Sequence, residues 1–239
     1  MKTIGLLGGM SWESTLQYYR LLNQGVQKAL GGLHSARIVL HSVDFGPIET
    51  LMRNDEWDAI GDILGDAAAG LEKAGADFFL LCTNTMHVLA ADILTRVDIP
   101  MLHIADATGD VLQREGVNTA GLLGTAFTME QEFYRQRLAE RYGMDVIVPQ
   151  QGDREIINRV IFDELCCGRM VGNSKQEYIR IMKWLADQGA EAVILGCTEI
   201  GLLVQQEDIK VRLFDTTPLH AARAVEMALE QVDCRSDTK

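Results

Sequence analysis

The strongest constraint on this chain's fold is a duplication. Gly189-Ala190-Glu191-Ala192-Val193-Ile194-Leu195-Gly196-Cys197-Thr198-Glu199 has the layout of Gly75-Ala76-Asp77-Phe78-Phe79-Leu80-Leu81-Cys82-Thr83-Asn84-Thr85. Setting Gly75-Ala76 on Gly189-Ala190 brings Leu81 to Leu195 and Thr83 to Cys197. A second pair supports the first, because Ile4-Gly5-Leu6-Leu7-Gly8-Gly9 is repeated as Ala120-Gly121-Leu122-Leu123-Gly124-Thr125. Each copy is a short apolar run that ends at a polar turn, as a buried parallel strand does.

Between these runs the spacing is helical. Thr3 to Leu7 reads as a strand, Gly8-Gly9-Met10 as a turn, and Ser11 as the N-cap of a helix to about Leu30. Arg37 to Phe45 is expected as a strand stopped by Gly46-Pro47, with helices near Ile48 to Arg53 and Glu56 to Lys73. A short helix near Met86 to Leu94, a strand from Ile99 to His103 and a helix capped by Asp106 follow. In the second copy, helices are expected from Thr128 to Tyr142, Arg154 to Cys167 and Ser174 to Gln188, with a strand from Asp145 to Val148. Lys210 to Phe214 is the last strand, and Asp215-Thr216-Thr217-Pro218 opens a helix to about Val232 before a loose tail from Cys234. Alternating strands and helices imply an α/β fold of two similar Rossmann-like parallel-sheet lobes, related by the internal repeat, with the active site in the cleft between them. The expected division is 1–100 plus 215–239 for one lobe and 101–214 for the other.

Composition narrows the function. The formal charge is −12 and no Lys/Arg cluster stands out, so nucleic acid is not an expected partner. No run approaches the ~18 apolar residues of a membrane span, and the opening segment is too short and glycine-rich for a signal peptide, so no membrane partner and a cytoplasmic location are expected. Five cysteines without CxxC spacing suit neither a disulfide framework nor a metal site, so no metal is expected. Gly5-Leu6-Leu7-Gly8-Gly9 lacks the GxGxxG spacing of a dinucleotide fold.

Cys197 stands at a strand-to-helix turn, where free N–H groups hold anions and a helix end favours thiolate. Asn84 and Thr85 offer the same kind of anchor in the first copy. Two such turns could hold a carboxylate and present its α-carbon for proton transfer. Cys82 should instead point into the core, because neighbouring strand residues face opposite ways.

These residues resemble the cofactor-independent aspartate/glutamate racemase superfamily, most closely its aspartate racemase branch. The similarity lies in Thr83-Asn84-Thr85, Gly196-Cys197-Thr198-Glu199, Gly8-Gly9-Met10-Ser11-Trp12-Glu13-Ser14-Thr15 and Ser42-Val43-Asp44-Phe45. The resemblance implies amino-acid racemisation without pyridoxal phosphate or any other cofactor, by two cysteines on opposite faces of the substrate's α-carbon. Here Thr83 holds the first cysteine's place, and a hydroxyl is far too weak an acid to replace a thiolate near neutral pH. Cys197 is then the base, acting mainly on the L-enantiomer, with Thr83 or a water it holds on the D face.

By family position Met10 and the segment around Met52 and Arg53 approach the substrate, while Asn84, Thr85, Thr198 and Glu199 hold its polar groups. The family's usual assembly makes a homodimer the expected state. Asp106 and Asp215 read first as helix caps, His87 as a capping or solvated side chain, and Arg53 and Arg169 as exposed arginines. Without a clear basic partner for a side-chain carboxylate, the expected substrate is aspartate, glutamate or an amino acid of a broader set. Two alternatives stay open: a one-cysteine decarboxylase of the same superfamily, and a non-catalytic small-molecule binding protein.

Overall fold

The computed structural model describes residues 1–230; the helix end expected near Val232 and the tail from Cys234 lie outside them. The strands are β1 (Ile4–Gly8), β2 (Ile38–Ser42), β3 (Phe78–Leu81), β4 (Thr119–Gly124), β5 (Asp145–Ile147), β6 (Ala192–Gly196) and β7 (Arg212–Asp215). The α-helices are α1 (Trp12–Leu30), α2 (Phe45–Arg53), α3 (Trp57–Lys73), α4 (Ala90–Leu94), α5 (Ile104–Arg114) and α6 (Ala126–Glu130). They continue with α7 (Glu132–Tyr142), α8 (Gln151–Asp163), α9 (Gly172–Asp187), α10 (Ile200–Leu203) and α11 (Thr216–Leu229). Short 3₁₀ turns cover Thr85–Leu89, Leu165–Cys167 and Gln206–Asp208.

The fold is α/β with two parallel sheets, of order β2-β1-β3 and β5-β4-β6-β7. The chain forms two compact units: Met1–His103 with the segment from His220, and Ile104–Leu219. Strand register reproduces the duplication residue for residue. Leu7 pairs with Leu81 as Leu123 pairs with Leu195, and Gly5 with Phe79 as Gly121 with Val193. The strand expected over Ile99 to His103 is reduced to a single bridge, Phe79 to Met101, the counterpart of Val193 to Leu213. Pro100 has no N–H to donate, although its carbonyl accepts from Phe79 N at 3.0 Å.

In the first unit, Ile4, Leu6, Phe78, Leu80 and Cys82 pack with Tyr18, Leu22 and Val26 of α1 and with Ala221, Ala224 and Val225 of α11. In the second, alternate residues of β6 serve two cores. Val193, Leu195 and Cys197 pack among residues of α8 and α9, whereas Ala192 and Ile194 pack with Ile104 and Leu112 of α5 and Leu138 of α7. Each fully buried leucine or isoleucine here is worth about 1.5–3 kcal/mol.

Several local expectations are corrected. Strand β2 ends at Ser42, because Asp44 caps α2 by accepting from Gly46 N at 3.1 Å; Gly46 and Pro47 therefore open that helix and do not stop a strand. Asp106 lies within α5 and does not cap it; its carboxylate takes a bidentate pair from Arg137, at 2.6 and 2.8 Å, and a further bond from Arg141 of α7. The helix expected from Thr128 to Tyr142 breaks at Gln131, which is extended (φ −77°, ψ 147°). Ser174 sits inside α9, its hydroxyl donating to Glu164 at 2.7 Å, so it does not open that helix.

Candidate active site

The turn after β1 is fixed by backbone geometry. Gly9 has φ +98°, and a Cβ there would stand 2.1 Å from the Val43 carbonyl oxygen, so only glycine fits. Its N–H donates to Thr15 Oγ1 at 2.8 Å, and Ser11 caps α1 as its sequence implies. Met10 follows in this turn and is buried; Met52, in α2, is buried as well. Both belong to the first unit. Arg53 is exposed and pairs with Glu49 one turn earlier, and Arg169 donates to the Asp163 carbonyl.

Strand β3 ends at Leu81 and leads to Thr83, Asn84 and Thr85, all buried. Cys82 is completely buried in the apolar cluster with Phe78 and Leu80, and burial pushes its thiol far above the ordinary range. That matches the strand alternation, which turns Cys82 away from the face carrying Phe79 and Leu81. The Cys82 carbonyl accepts from Ser14 Oγ at 2.8 Å, and the Thr83 carbonyl accepts from His87 Nδ1 at 2.8 Å.

The equivalent turn after β6 carries Cys197, Thr198 and Glu199, which the structure brings together. Glu199 Oε2 accepts from Cys197 Sγ at 3.1 Å and from Thr198 Oγ1 at 2.5 Å, with all three side chains buried. The helix that follows, α10, has four residues, too few for a strong dipole. Burial first, then the negative charge of Glu199, hold the Cys197 thiol well above its ordinary value. Cys197 is therefore a thiol donating to a carboxylate, and the thiolate expected from its place at a helix end is outweighed.

Two further groups stand near this turn. Asp215, paired in register with Leu195, accepts from Thr217 N at 2.9 Å as the cap of α11, and burial, opposed by bonds from Thr217, pushes its carboxyl up to about 6. The charge of Glu199 raises it further. Cys166, in the 3₁₀ turn after α8, feels the charge of Glu199 and is pushed up to about 12, mainly by burial. Sequence reading passed over Cys166, since nothing local distinguishes it. It also passed over His103, although the duplication makes His103 the counterpart of Asp215. Among the described residues no group of three or more His, Cys, Asp or Glu side chains could hold a metal ion, and no helix is long and apolar enough to cross a membrane.

The turn can therefore pass a proton between a thiol and a carboxylate, with the Thr198 hydroxyl bonded to the same carboxylate oxygen. Residues 7–224 match the family model for Asp/Glu/hydantoin racemases. A Yersinia pestis protein assigned to the Asp/Glu racemases is 51% identical, with 96% of this chain and 100% of that one aligned at a TM-score of 0.90. An aspartate racemase homologue from Pyrococcus horikoshii is 36% identical over 95% of this chain and 99% of that one, with a TM-score of 0.82. The broad specificity amino-acid racemase RacX of Bacillus subtilis is 24% identical over 93% of this chain and 96% of its own length.

Proposed function

Because the chain belongs to the Asp/Glu/hydantoin racemase family, we propose that it is an isomerase that racemises an amino acid by moving the α-proton directly, with Cys197 as the base on the L-enantiomer. The observation that carries this reading is the Cys197 Sγ to Glu199 Oε2 contact of 3.1 Å at the repeat position of Thr83. The thiol proton passes to the Glu199 carboxylate, so the pair keeps one negative charge while the sulfur becomes the base. An incoming α-ammonium favours that transfer, since a positive charge nearby lowers the thiol's pKa. Thiolate then removes the α-proton, and the electron pair left on carbon delocalises into the substrate carboxylate.

Asn84, Thr85 and Thr198 supply donors for that carboxylate, and Met10 and Met52 supply apolar contact. Thr83, or a water bound to it, returns a proton on the opposite face. The relatives point to aspartate, glutamate or a broader set of amino acids as substrates. We further propose that the protein is a cytoplasmic homodimer.

Enantiomers have equal free energy in water, so kcat/KM must be equal in both directions. A site with one thiol reveals its asymmetry elsewhere: it can wash out the α-proton of an L-amino acid faster than it inverts the centre. The test is proton NMR in D₂O with separate L- and D-amino acids, aspartate and glutamate first, alongside chiral chromatography. Loss of the α-proton signal with slower appearance of the other enantiomer is expected. A second reading, decarboxylation of a substituted malonate, draws on the single thiol left by Thr83. Carbon dioxide release from a malonate panel with no amino-acid exchange would establish it instead.

A further inference from the structure

The unit that carries Thr83 holds a buried aromatic network that the proton-transfer scheme leaves unused. Tyr18, His87, His103 and His220 are all buried. Tyr18 Oη lies 2.8 Å from His220 Nδ1, and His220 Nε2 lies 2.8 Å from the Leu102 carbonyl oxygen. A carbonyl only accepts, so Nε2 carries hydrogen, and in the neutral ring Nδ1 accepts from the tyrosine. By the same argument His87 Nδ1 carries the hydrogen that it donates to the Thr83 carbonyl. The ring centroid of His87 lies 4.5 Å from that of His103 and 6.0 Å from that of His220.

The duplication gives these positions meaning. Counting on from Thr83 and Cys197 aligns His87 with Gly201, and the Met101 and Leu213 pairings align His103 with Asp215. A Cβ built on Gly201 would meet Asp215 Oδ2 at 2.2 Å, so the carboxylate fills the space where an imidazole begins in the other copy. Behind the thiol the chain has placed a carboxylate over glycine; behind the threonine it has placed imidazole against imidazole. Cys197 draws its reactivity from a proton acceptor, Glu199. Thr83 cannot ionise, so its contribution depends on where its hydroxyl, or a water bound to it, is held.

We propose that His87 is a positioning residue for the D-face half of racemisation, fixing the Thr83 turn through the Thr83 carbonyl, with its ring held by His103 and by the His220–Tyr18 pair. The hydrogen bond closes the step from β3 into the Thr85–Leu89 turn and sets the Thr83–Asn84 peptide plane. A displacement of about 1 Å at such a group costs roughly 10²-fold in rate. The inference rests on the racemase reading above.

The test compares His87→Leu, which deletes the donor, with His87→Asn, which keeps an N–H near the place of Nδ1. Each is given L-aspartate and L-glutamate in D₂O, and α-proton loss and enantiomer formation are measured in the same tube. His87→Leu should slow inversion by about 10- to 100-fold while α-proton loss changes less than about threefold, and His87→Asn should recover most of the inversion. Folding is followed by circular dichroism, and if His87→Leu does not fold, His87→Gln, whose N–H reaches the Nε2 place, takes its part. Equal decline of exchange and inversion, or an unchanged ratio, overturns the proposal. Absence of exchange in the parent protein overturns the racemase reading, and this inference with it.

Discussion

Asp215 should make folding stability fall as pH rises through weakly acidic values, and its replacement by asparagine should remove that fall. Its carboxyl is pushed up to about 6 from an ordinary 3.8, mainly by burial, with the charge of Glu199 adding to the rise and the Thr217 bonds opposing it. Between those values the folded chain holds a proton at this site that the unfolded chain has released. The native state binds more protons, so stability declines with increasing pH. Below pH 4 both states are protonated and the contribution is complete; above pH 6 it is gone. Roughly two pKa units at 1.36 kcal/mol each give about 3 kcal/mol. Asparagine keeps the oxygen that accepts from Thr217 N and carries no charge. Urea unfolding of the parent and Asp215→Asn proteins from pH 3.5 to 7.5 isolates the effect, because other carboxylates cancel in the difference. The variant should gain from near zero at the acid end to about 3 kcal/mol above pH 6. A flat difference, or a gain confined to low pH, would refute the argument that burial dominates at Asp215.

Three further outcomes follow from packing. Gly9→Ala forces a Cβ to within 2.1 Å of the Val43 carbonyl at positive φ, and should lower stability by at least about 2 kcal/mol, read as a drop in Tm. Asp106→Ala strands Arg137 and Arg141 of α7 and should cost about 1–3 kcal/mol in denaturant unfolding, with α-proton exchange retained in the folded fraction. Iodoacetamide should modify exposed Cys167 well before Cys82, and peptide mass mapping of a time course would show Cys82 labelled only on unfolding.

Much of the site's framework was legible in the sequence, because the duplication acts through local chemistry. Apolar alternation fixed which of Cys82 and Thr83 turns into the core, and the shared register of β3 and β6 makes Thr83 the counterpart of Cys197 in the repeat. Ser11, before a helical pattern, read correctly as a cap. What escaped depends on partners distant in the chain. Asp106 resembled a cap until α7 brought Arg137 and Arg141 to it, and nothing near His220 announces Tyr18, 202 residues earlier. The Asp44 cap was hidden by Gly46 and Pro47, whose turn chemistry also suits a helix's first residues. Glu199 lay two residues from Cys197, yet only the folded turn set its carboxylate against the sulfur.

Whether Cys197 is the carbon-acid base is decided by exchange of the α-proton. Parent and Cys197→Ser proteins would be incubated with L-aspartate, L-glutamate and the remaining L-amino acids in D₂O and followed by proton NMR. α-Proton loss is expected for at least one amino acid in the parent, reduced by about 10²- to 10⁴-fold in the variant, the range for removing a positioned acid–base group. Exchange that persists unchanged in a folded Cys197→Ser protein would contradict it.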